Sequence, residues 1–71
     1  MKFILMDLER TLSNGVPAFW KGNKHGYTYN IHEAGLFDET EAEKIVKKAF
    51  NERTIKISLK AIEDFLLIKV R

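Results

Sequence analysis

The sequence predicts an α+β fold, in which a small antiparallel β-hairpin or three-stranded sheet packs against one long and one shorter helix. Three observations carry that expectation. An alternating apolar run opens the chain from Lys2 and is followed by Asn14-Gly15. Ala42, Ile45, Val46, Ala49 and Phe50 fall at helical spacing behind Asp38 and Glu41. Thr54-Ile55-Lys56-Ile57 alternates again and is β-branched.

Lys2 to Glu9 reads as the first strand. Phe3, Leu5 and Asp7 point one way, and Ile4, Met6 and Leu8 the other. One face is apolar throughout and the other for its first half, so both are expected to be covered in part. Asn14-Gly15 is the strongest short-range hairpin signal, because a type I′ turn needs positive φ at both central residues. Val16 to Lys21 is then expected to return as the second strand. Pro17 lacks an N–H and places that strand at an edge, or starts its pairing at Ala18.

Thr28 is placed to cap a short helical turn over Tyr29 to Ala34, and Gly35 to end it in the left-handed region. The clearest element is a helix from about Glu39 to Phe50. Asp38 caps it, Phe37 can staple onto Ala42, and its acids precede its lysines, in the order the helix dipole favours. Asn51 is expected to stop it. Thr54 to Ile57 is a short third strand. Ser58 offers a cap for a second amphipathic helix carrying Leu59, Ile62, Phe65 and Leu66. Leu67, Ile68 and Val70 break its stripe, so residues 59–70 are either one helix apolar nearly all round or a helix and an extended tail. Either way the apolar C-terminal segment suits contact with another copy. The expected core is Phe3, Leu5, Phe19, Ile31, Phe37, Ala42, Ile45, Val46, Ala49, Ile57, Ile62 and Phe65.

Seventy-one residues make one domain, 1–71. A chain of this length buries only about 60% of the surface its unfolded form exposes. With no cysteine it has neither disulfide nor thiolate metal site to help, which fits a reducing cytoplasm. The net charge of +2 is low for a dedicated DNA-binding domain. The apolar start ends at Asp7, short of a signal-peptide core, and no run reaches the ~18 residues of a membrane span. The expectation is a soluble, intracellular protein with no membrane partner.

Chemistry concentrates in one stretch. Trp20, Lys21, Asn23, Lys24, His25, Tyr27 and Thr28 combine aromatic rings, cations and neutral hydrogen-bonding groups around Gly22 and Gly26. These seven are the candidate ligand- or partner-binding residues. The alternative is that Trp20 and Tyr27 pack inward while the lysines stay solvated. The stretch is not a Walker loop, since Gly26 is followed by Tyr27. His25 and His32 lack further ligands for zinc, so no metal or other cofactor is expected. No nucleophile, base and orienter stand in a recognisable set, and catalytic residues are not expected either. The acidic run from Asp38 to Glu43 is accounted for by the cap and the dipole.

Trp20-Lys21, Gly26-Tyr27-Thr28, Ile31, Ala34-Gly35, Phe37 and Glu41-Ala42 together resemble a group of short bacteriophage- and prophage-encoded proteins. The likeness covers roughly residues 1–50, a supersecondary unit plus a helix. It implies a phage accessory protein in the cytoplasm of the host bacterial cell, and proteins of that kind often inhibit a host factor or defence system. Two functions follow as expectations. The first is a non-enzymatic binding module that inhibits or modulates a host bacterial protein. The second is a binder of a nucleotide or nucleic acid, such as a sponge for a signal nucleotide. There Lys21, Lys24 and His25 would meet phosphate, and Trp20 or Tyr27 would stack.

Overall fold

The computed structural model describes residues 1–22, 26–48 and 53–66. Its elements are β1 (Lys2–Asp7), α1 (Leu8–Asn14), β2 (Phe19–Trp20), β3 (Tyr27–Thr28), a 3-10 turn (Ile31–Glu33), β4 (Phe37–Asp38), α2 (Glu39–Lys48), β5 (Thr54–Ser58) and α3 (Leu59–Leu66). This is the small α+β fold the sequence predicts. The readings that rest on Ala49, Phe50, Asn51 and residues 67–70 lie outside the described residues.

β1 is the axis of the sheet. Phe3 stands between Phe37 of β4 and Ser58 of β5, and Met6 stands between Phe19 of β2 and Ile55 of β5. It follows that β5 runs along one edge of β1, while β2 and β4 share the other edge end to end. β3 extends the sheet beyond β2, and all pairs are antiparallel.

Because side chains alternate along β1, each of its faces collects its own apolar cluster. Phe3 and Leu5 pack with Phe37, Ala42 and Ile45 under α2, joined by half-buried Trp20 and Val46. Ile4 packs with Phe19, Ala34 and Ile62 under α3, with Met6, Ile31, Leu36, Ile57 and Leu59 around it. Ile4, Ala18 and Ala34, which the sequence reading left out of the core, are fully buried. Phe65, placed in the core by helical spacing, is 86% exposed.

The first connection corrects the predicted hairpin. β1 and β2 do pair, but α1 joins them rather than a two-residue turn. Asp7 caps α1, its Oδ1 accepting from the Arg10 amide at 3.1 Å. The Thr11 hydroxyl donates to the Asp7 carbonyl at 2.7 Å and accepts from the Ala18 amide at 3.0 Å, tying the helix to the start of β2. Gly15 ends the helix in the left-handed region with φ 76°, its amide donating to the Thr11 carbonyl. Asn-Gly is common to type I′ turns and helix C-caps. What separates them lies upstream, in a capping aspartate followed by Leu-Glu-Arg, all good helix formers.

Gly35 also plays a different part from the one expected. Ala34 closes the 3-10 turn with extended backbone, so no left-handed glycine is needed there. Gly35 is small because another stretch of main chain crosses it. A β-carbon there would lie 2.6 Å from the Gly22 nitrogen and 2.9 Å from the Lys21 carbonyl carbon. The Gly35 amide donates to the Trp20 carbonyl at 2.9 Å, and Lys21 bridges Ala34. The Ala-Gly pair therefore clamps the stem of the Trp20–Thr28 stretch.

The two later caps match the sequence. The Glu41 amide donates to Asp38 Oδ1 at 2.8 Å, and the Ala61 amide to Ser58 Oγ at 3.0 Å. No described helix is long and apolar enough to cross a membrane.

Candidate functional site

The stretch singled out from the sequence is the tip of a real hairpin, one connection later than predicted. Trp20 pairs with Tyr27 and Phe19 with Thr28, and the Lys21 amide closes the stem on the Gly26 carbonyl at 3.0 Å. Gly26, at φ 83°, takes a left-handed conformation at the end of the turn. Asn23, Lys24 and His25 lie outside the described residues.

The described side chains of this hairpin do not form one open surface. Trp20 turns toward the cluster under α2, and its Nε1 is buried with no partner among the described residues. The Tyr27 ring meets it edge to face, with centroids 5.6 Å apart and planes at 73°. Over the Tyr27 ring lies the Arg10 guanidinium, 4.1 Å from the centroid, its Nε 3.6 Å from Asp7 Oδ2. Thr28 is buried, donating to Glu33 Oε1 at 3.1 Å and accepting from the Asn30 amide at 3.0 Å. Lys21 is exposed, as is Tyr29, whose hydroxyl accepts from Asn14 Nδ2 at 3.1 Å. Of the predicted site residues that are described, then, Trp20 and Thr28 serve the fold, and Lys21 and Tyr27 face outward. Among the described residues no three His, Cys, Asp or Glu side chains gather as a metal site would need.

A concavity lies on the other face of the sheet. It is a groove of about 590 Å³ to which the sheet contributes Met6, Phe19 and Ile57, and α3 contributes Ala61, Ile62 and Phe65. Pro17 before β2 and Ile31 of the 3-10 turn complete the lining. Every described lining residue is apolar. The volume is within the usual range for ligand pockets, about 300–1,000 Å³, though polar groups to orient a small molecule are missing from the lining. It runs beside the described part of α3, which starts directly after β5 and packs on the same face of the sheet through Ile62. Against known proteins, the chain matches no family model, no curated protein and no solved structure.

The apolar helix is legible in the sequence; the groove beside it is not. Ile31 and Phe65 carry the pattern of core residues, so periodicity alone gave no sign that they line an open groove.

One ionic group lies under α2. Lys56 of β5 pairs with Glu43 and sits 3.9 Å from Glu39, its Nζ 5.0 Å from the Phe3 ring centroid. The Lys56 hydrogen bond, then its positive charge, hold the Glu43 carboxyl below its ordinary value.

Proposed function

We propose that this protein is a non-enzymatic binding module that takes a protein partner at the apolar groove between α3 and the sheet. The observation that carries the reading is Phe65, 86% exposed at a groove with an all-apolar lining. A large aromatic left in water costs free energy that burial against a partner recovers, about 1.5–3 kcal/mol for a side chain of this size. Exposed apolar patches with such anchors mark interaction surfaces, and aromatic residues dominate the energetics of interfaces. The resemblance to short phage-encoded proteins makes a host bacterial protein the expected partner and its inhibition or modulation the expected effect. The host cytoplasm would be the place of action.

The nucleotide reading draws less support from the geometry. Arg10 already lies over the Tyr27 ring, and Trp20 packs toward the core, so less aromatic surface is left for a base to stack on.

Capture from a bacterial lysate with three baits tests the choice. The native chain and a Tyr27→Ser variant should enrich the same protein, and a Phe65→Ser variant should lose it. Loss with Tyr27→Ser and retention with Phe65→Ser would overturn the groove as the site.

A further inference from the structure

We propose that β5 pairs with β5 of a second copy of this chain, joining two sheets across a two-fold axis at Lys56. β5 is bonded to β1 along one edge, and among the described residues no strand lies along the other. An unpaired strand edge presents free N–H and C=O groups to any extended chain. Folded proteins guard such edges with proline, bulges, short strands or a charged side chain, most often lysine. Thr54 to Ser58 has no proline, is β-branched at three of five positions and pairs with β1 in unbroken register. Its one guard, Lys56, is disarmed. Its ammonium is drawn under α2 by Glu43 and Glu39 and lies near the Phe3 ring.

The order of residues is self-complementary. In an antiparallel pair centred on Lys56, Ile55 of each copy faces Ile57 of the other, and Thr54 faces Ser58. Side chains alternate, so all four isoleucines fall on the α3 face, where Ile55 is 37% exposed. The opposed isoleucines would bury apolar area against each other, and the opposed Thr and Ser hydroxyls can hydrogen-bond. Lys56 would face Lys56 of the second copy, a repulsive pairing were each not neutralised by its own glutamates. A single slip of register would place isoleucine against lysine, so this pairing is specified by sequence as well as available. The surface differs from the one proposed for the partner protein. Ile57 borders both, Ile55 belongs to the edge, and Phe65 belongs to the groove.

The chain contains no cysteine, which makes a cross-linking test clean. Directly opposed residues of an antiparallel pair have Cα atoms about 4.5–5.5 Å apart, within disulfide reach. A Lys56→Cys variant of the full chain should therefore form a covalent dimer under mild oxidation. Ser58→Cys should not, because each Ser58 would sit about 13 Å along the strand from its own copy. Sedimentation equilibrium of the unmodified chain should show a monomer–dimer equilibrium, weakened at least about tenfold by Ile55→Lys with the circular dichroism unchanged. A chain that stays monomeric at about millimolar concentration overturns the proposal. So does a dimer that Ile55→Lys leaves intact, or equal cross-linking from positions 56 and 58. Phe65→Ser should leave the dimer in place, so failure here and failure of the groove reading are separate results.

Discussion

A β-carbon on Gly35 would come within 2.6 Å of the Gly22 nitrogen, so these two glycines mark where the stem of the β2–β3 hairpin crosses the chain leading into β4. The neighbour is main chain and cannot swing aside. Gly35→Ala should therefore destabilise the protein by about 1–3 kcal/mol, as overpacking does. Denaturant unfolding measures it. Gly22→Ala, whose β-carbon would meet Gly35 at an ordinary 4.0 Å, should cost clearly less.

Asn14 and Gly15 give a direct test of how β1 is connected to β2. A type I′ turn would need positive φ at both residues, whereas the observed C-cap needs it at Gly15 alone. Gly15→Ala should cost about 1–2 kcal/mol, and Asn14→Ala about 0.5–1 kcal/mol for an exposed hydrogen bond. Equal and large losses at both positions would restore the two-residue turn.

The legibility of the fold follows from these particulars. Asp38, Ser58 and the alternation of β1 and β5 announced themselves because caps and period-two patterns are local. α1 was hidden because Asn14-Gly15 is spelled alike in two structures, and only the wider context from Asp7 onward tells them apart. Gly35 read as a left-handed residue because its true constraint, the backbone of Gly22, lies thirteen positions away. The candidate site split for the same reason. Residue types put Trp20 and Thr28 in a binding loop, while long-range packing turned one toward α2 and satisfied the other with Glu33. Phe65 has the spacing of a core residue, and periodicity does not distinguish a position that closes the core from one left exposed at the rim of a groove.

Arg10 and Tyr27 should be energetically coupled. A double-mutant cycle with Arg10→Ala and Tyr27→Leu is expected to give about 0.5–1 kcal/mol, the worth of a partly exposed cation–π contact. Thermal unfolding of the four proteins measures it. Zero coupling would mean that the guanidinium only rests near the ring.

Glu43 links stability to acid. Its folded-state value lies below the ordinary 4.5, chiefly through the Lys56 hydrogen bond and then the Lys56 charge. The stabilisation is therefore complete above 4.5 and disappears as pH falls through the lowered value. Lys56→Met should return the Glu43 carboxyl toward its ordinary value in an NMR titration and flatten the decline of stability below that pH. An unchanged Glu43 titration in the variant would remove Lys56 as the cause.

A binding module of this kind requires that the groove beside Phe65 receive another polypeptide. Placing a photo-cross-linking phenylalanine analogue at position 65, with position 48 on the exposed side of α2 as the control, asks this in living bacteria. A discrete adduct with a different protein from position 65 and none from position 48 is the predicted result. No adduct beyond the chain's own dimer, or the same adducts from both positions, would contradict it.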